Sequence, residues 1–105
     1  MYKTQLMGRI VEYRIGEYHL RIEFLDEEQL RWTYLAAPEG QSGKTATERH
    51  ERSDIRDDVV MLRWTEADGT QVVDVFDFGD QRVYANFVIE GQRYSVEGEM
   101  SAVAQ

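Results

Sequence analysis

The stretch Arg63-Trp64-Thr65-Glu66-Ala67-Asp68-Gly69-Thr70 joins two apolar runs, Val59 to Leu62 before it and Val72 to Phe78 after it. Asp-Gly between two such runs is a strong hairpin signal, because glycine takes the positive φ of a tight turn at no steric cost. Side chains alternate across a strand, so Trp64 and Glu66 share one face. An indole and a carboxylate together at a strand end mark where a ligand would sit.

The same period of two runs outward in both directions. Towards the N-terminus, Val11, Tyr13 and Ile15 alternate with Glu12 and Arg14. Tyr18, Leu20, Ile22 and Phe24 alternate with His19, Arg21 and Glu23, and Leu30, Trp32 and Tyr34 with Arg31 and Thr33. Gly16-Glu17 and Asp26-Glu27-Glu28 supply the turns between these three strands. Pro38 to Gly43 reads as a loop. Lys44 to Arg52 reads as a fourth strand, with a short amphipathic helix as the competing reading, and Ser53 to Asp58 as a loop. Four strands follow, Val59–Glu66, Thr70–Phe78, Gln81–Ile89 and Gln92–Met100, with turns at Gly79-Asp80 and Glu90-Gly91. Eight short antiparallel strands without a long helix predict an all-β, up-and-down sheet in a single domain over residues 1–105. Closure into a barrel is the expected way to remove its edges.

Parity assigns the interior. Tyr94 and Val96 oppose Arg93, Ser95 and Glu97, so the two-residue turn at Glu90-Gly91 pairs Phe87 with Tyr94 and Ala85 with Val96. The turn at Gly79-Asp80 then pairs Phe76 with Val83 and Asp74 with Ala85. For Trp64 and Glu66 to face the same way, the central loop must hold an odd number of residues, and Ala67-Asp68-Gly69 fits. A two-residue Asp-Gly turn would instead set Val73 and Val75 beside Trp64 and turn Asp74 outward, towards Arg63. The odd loop is the preferred reading. It predicts an interior holding Tyr13, Tyr18, Trp32, Tyr34, Trp64 and Tyr94 with two acids, Glu66 and Asp74. Polar-tipped aromatics and carboxylates are a costly filling for a dry core, and an eight-stranded barrel is wide enough for one small ligand. Glu66 beside Trp64 is the candidate proton donor, its pKa raised by desolvation. Lys44, Arg49 and His50 are the candidate cations for an anionic ligand.

Composition narrows the function. The chain carries a net charge of −8 and no cysteine. It is poorly suited to nucleic-acid backbones, and disulfides and thiolate chemistry are excluded. His19 and His50 lack metal-ligand spacing, so no metal or other cofactor is expected. Gly40-Gln41-Ser42-Gly43-Lys44-Thr45 superficially suggests a phosphate loop, but Pro38 stands where the first glycine belongs. Residues Met1 to Arg9 have no signal-peptide core and no apolar run reaches membrane length, so a cytoplasmic protein without a membrane partner is expected. Val73, Val75, Tyr84 and Val88 on the outer face suggest a homodimer.

Ile10-Val11-Glu12-Tyr13, the turn at Gly16, the Gly43-Lys44 loop and the Leu62–Thr70 hairpin together resemble the MoaF-like domain. That resemblance covers nearly the whole chain and implies a calycin- or lipocalin-like barrel that binds a small molecule. The Trp-Thr-Glu hairpin is also similar to that of the phenolic acid decarboxylases. There the glutamate after Trp-Thr is the catalytic proton donor, a role that would fall to Glu66. Two tyrosines on the first strand of that family hold the substrate carboxylate. Tyr13 matches one, Val11 replaces the other, and Lys44 lies nearest to the family's loop arginine. Three functions are therefore carried forward: a binding barrel for a small aromatic or carboxylate-bearing metabolite, a non-oxidative lyase using Glu66, and a structural protein with a filled barrel.

Overall fold

The computed structural model describes residues 4–103. It contains nine strands: β1 (Ile10–Ile15), β2 (Tyr18–Phe24), β3 (Gln29–Ala36), β4 (Thr45–Arg49), β5 (Glu51–Arg56), β6 (Val59–Thr65), β7 (Gln71–Asp77), β8 (Arg82–Ile89) and β9 (Gln92–Ala102). All neighbours are antiparallel, in the order β4-β3-β2-β1-β9-β8-β7-β6-β5. The ends of that order, β4 and β5, are joined directly through His50, so the sheet curls into a nearly closed barrel.

The ninth strand corrects the expectation of eight. Lys44–Arg52 is not one strand, and most of the expected loop, Ser53–Asp58, is strand. β4 pairs only with β3 and β5 only with β6, so the chain changes sides of the barrel at His50. The His50 N–H donates to the Glu28 carbonyl at 2.9 Å and pins that corner. Polar residues hid β5: on the face it shares with Leu62 and Val60, Arg52 bonds Glu27 at 2.6 Å and Asp54 at 2.9 Å, so charged side chains stand where apolar ones would mark a strand. A polar segment reads as loop, whereas backbone pairing with β6 makes it a strand.

The hairpins elsewhere keep the expected register. Trp64 pairs with Val72, Leu62 with Asp74, Asp74 with Ala85 and Phe87 with Tyr94. The central loop is the three-residue one: Glu66 N–H donates to Thr70 O at 2.8 Å, and Gly69 takes a φ of 90°. The Gly79-Asp80 connection is longer than the two residues expected. It spans Phe78–Gln81 between Asp77 and Arg82, with parity unchanged.

One half of the barrel is solid. Ile22, Leu30, Val60, Leu62, Phe76 and Val83 are essentially inaccessible, and Leu6 from the N-terminal segment joins them. Each such side chain contributes about 1.5–3 kcal/mol through burial. Leu6 is held there by Glu27, whose carboxylate accepts from the backbone N–H groups of Leu6 at 3.0 Å and Met7 at 2.8 Å. Partial burial pushes the Glu27 pKa up, but these bonds and the Arg52 charge outweigh it, so the net shift is downward. Its contribution is therefore present above the ordinary glutamate range and is lost as pH falls through the lowered folded value. Glu27→Ala is expected to cost about 1 kcal/mol in urea unfolding at pH 7, and less at pH 3. An equal loss at both pH values would show that the carboxylate's charge does not hold Leu6 in the core.

Candidate functional site

The other half of the barrel is open. The β1–β2, β6–β7 and β8–β9 hairpin tips and the loop before β4 surround a cavity of about 330 Å³, within the range of small-molecule sites. Its walls are aromatic. Trp32 lies 5.0 Å from Tyr34 between ring centroids, and Tyr34 lies 5.2 Å from Tyr18. Trp64 faces in from β6 and Tyr13 from β1.

The indoles are each tied to a carboxylate. Trp64 Nε1 donates to Glu66 at 3.2 Å, and Trp32 Nε1 to Glu48 at 2.9 Å. Burial raises the pKa of Glu66. The Trp64 bond pulls it down, Glu48 and Asp68 push it up, and Lys44 lowers it, with a net rise. Glu66 is thus easier to protonate than an exposed glutamate.

Asp74 lies deeper. It is 2% exposed, and its Oδ1 has no hydrogen-bond partner among the described residues. Burial raises its pKa to about 8, opposed by a backbone hydrogen bond from Asn86 and reinforced by the charge of Glu66. The alternative pairing with Arg63 does not occur, because Arg63 points outward and donates to Ser53 Oγ at 3.0 Å. Burial and the Asp74 charge raise the Tyr13 pKa well above the usual value, and burial with the Glu66 charge raises Tyr34 to about 12. Both phenols therefore keep their protons at neutral pH and can donate.

Tyr13, Tyr18, Trp32, Tyr34, Trp64, Glu66 and Asp74, all of the inward-facing set that parity predicts, line this one cavity, and so does Lys44, a candidate cation that parity did not place. Arg49 and Tyr94 do not. In β4, Ala46 pairs with Trp32 and Glu48 with Leu30, so Arg49 falls on the outer face, where it pairs with Glu28. Tyr94 is on the lumen side of β9 but 40% exposed, stacked on Phe87 at 5.5 Å beyond the cavity wall. His50 is buried at the β4–β5 corner. Burial lowers its pKa, so it is neutral at pH 7 and supplies no cation. Lys44 is the only cationic residue among the described lining residues. Sequence reasoning missed Glu48, which the weak alternation of its strand concealed, although its spacing from Ala46 placed both on one face. No group of His, Cys, Asp and Glu among the described residues is arranged to hold a metal ion. No described helix is long and apolar enough to cross a membrane.

The profile of the MoaF-like family matches residues 7–101, which takes in every strand except the last residue of β9. The chain belongs to the MoaF-like family. Among solved structures, one described as "a putative beta-lactamase from Burkholderia vietnamiensis" superposes with a TM-score of 0.87 at 20% identity, over 98% of this chain and 100% of its own. At that identity the likeness is one of fold. No curated protein matches the chain significantly.

Proposed function

We propose that this MoaF-like barrel binds a small molecule, an aromatic or carboxylate-bearing metabolite, in its open end. The observation that carries this reading is Asp74: a carboxyl buried in the wall of an aromatic cavity, with one oxygen left without a partner among the described residues. A buried polar atom without a partner is costly, and a ligand group placed against it recovers that cost. With its pKa near 8, Asp74 is mostly protonated at pH 7. A neutral carboxyl can donate to a ligand carboxylate and accept from a ligand hydroxyl. Trp32, Trp64 and Tyr34 offer flat apolar surface to the ligand body, and Lys44 offers charge at the mouth.

Both tryptophans border the cavity, so their fluorescence should respond to occupancy. Titration with small aromatic acids, hydroxycinnamates included, is expected to give a saturable change. Asp74→Leu should weaken binding at least about tenfold, and affinity for a carboxylate ligand should fall between pH 6 and pH 9 as Asp74 loses its proton. A flat response across acids, phenols and amides, or full affinity in Asp74→Leu, would refute the assignment.

A non-oxidative lyase is the second reading, and the raised pKa of Glu66 in the same cavity supports it. Glu66→Gln separates the two: a lyase keeps binding but loses turnover, whereas a binder has no turnover to lose.

A further inference from the structure

β9 pairs with β8 from Gln92 to Glu99, but with β1 only at Met100, Ser101 and Ala102. The reason lies at Gly98. A Cβ there would come 2.2 Å from the carbonyl oxygen of Arg14, so the end of β1 passes tightly against the lumen side of β9. Beyond this point, residues 92–97 have a second edge with no partner among the described residues, and every one of them is exposed. An uncovered strand edge is a template for another strand.

Which backbone groups point to that edge follows from the hydrogen bonds. Met100 N–H donates to Gln81 on the β8 side, and Val103 N–H donates to Ile10 on the β1 side. Backbone groups alternate along a strand. The even residues therefore serve β8, and Arg93, Ser95 and Glu97 present their N–H and C=O groups to the free edge.

We propose that two copies of this chain associate by antiparallel pairing of these edges, with Ser95 on the two-fold axis. In that register Ser95 meets Ser95 of the partner subunit, and Arg93 meets Glu97 of the partner subunit, twice by symmetry. All three are residues whose backbone faces the edge, so each forms a hydrogen-bonded pair and the free groups of both strands are satisfied. Opposite charges face each other on the outer surface. On the lumen side, Tyr94 meets Val96 of the partner subunit, an aromatic–β-branched pair. This covers two apolar side chains that are 40% and 39% exposed in the single chain. A slip of two residues one way sets Arg93 against Ser95 and loses the charge match, and a slip the other way carries the contact onto Glu99, next to Met100 where β1 already occupies the edge, so the central register keeps both charge pairs on the uncovered stretch.

The pairing is independent of what the cavity binds. Sedimentation of the wild-type chain over a concentration series is expected to show a reversible dimer. Arg93→Glu and Glu97→Arg should each weaken it about tenfold or more, by setting like charges opposite one another. Mixing the two singly reversed chains should restore association as a heterodimer, because each strand then meets its complement. The chain has no cysteine, so Ser95→Cys provides a clean second test. Cα atoms of a hydrogen-bonded antiparallel pair lie about 5.5 Å apart, within disulfide reach. Mild oxidation should link Ser95→Cys chains into dimers and leave Thr47→Cys chains, altered on an outward position of β4, unlinked. A wild-type chain that stays monomeric, charge reversals without effect, or equal cross-linking of the two cysteine variants would overturn the proposal.

Discussion

An Asp74→Asn variant is expected to be more stable than the wild type at pH 9, and to lose most of the wild-type decline in stability between pH 5 and pH 9. Asp74 is buried and its pKa is raised from 3.8 to about 8. In the unfolded chain the carboxyl gives up its proton near 3.8. In the folded chain it keeps the proton until about 8. Between those values the folded state holds more protons, so stability falls as pH rises. The favourable difference is fully present below pH 3.8 and gone above pH 8. Its size is several kcal/mol, on the order of 5, a large share of what a domain this small has. Asparagine keeps the shape and the acceptor for the Asn86 backbone but cannot ionise. Urea unfolding at pH 5 and pH 9 measures the effect. Glu66→Gln is the comparison: Glu66 is less buried and should show the same sign with a smaller size. If Asp74→Asn and wild type decline in parallel, burial does not hold Asp74 neutral, and its proposed role as a neutral donor to ligand falls with it.

Gly98→Ala should be strongly destabilising for the addition of a single methyl group. Its Cβ would lie 2.2 Å from Arg14 O and 3.2 Å from Ile15 Cγ2. The first contact is backbone, which cannot rotate aside. Either β1 or β9 must shift, and that shift opens the seam between the two sides of the barrel. Overpacking of a well-filled site costs typically about 1–3 kcal/mol, and a clash with backbone belongs at or above the top of that range. The expected result in urea unfolding is a loss of about 3 kcal/mol or more. Val96→Ala, two residues away on the same face but 39% exposed, should cost far less. A Gly98→Ala loss no larger than that of Val96→Ala would mean that β1 does not press against β9 at this point.

Much of this architecture follows from local chemistry. Alternation along each strand, together with short turns of known parity, places Trp64, Glu66, Asp74 and Phe87 on one face without reference to any tertiary contact. A strand has only two faces and a tight turn only a few lengths, so sequence spacing decides the pairing. The three-residue loop at Ala67-Asp68-Gly69 belongs to the same class. Other features were set by contacts far apart in the chain. β5 is a strand because β6 pairs with it, not because Glu51–Arg56 looks like one. Leu6 enters the core because Glu27 captures the backbone beside it. Arg49 and Glu48 are separated by a single residue step in a weakly alternating strand, which local pattern could not orient. Tyr94 has the parity of an interior residue, yet it is exposed, because β1 turns inward at Gly98 and leaves the first half of β9 uncovered. Periodicity along the chain tells which side of a strand a residue occupies. Whether that side is covered depends on where a distant strand ends, and only the assembled barrel decides that.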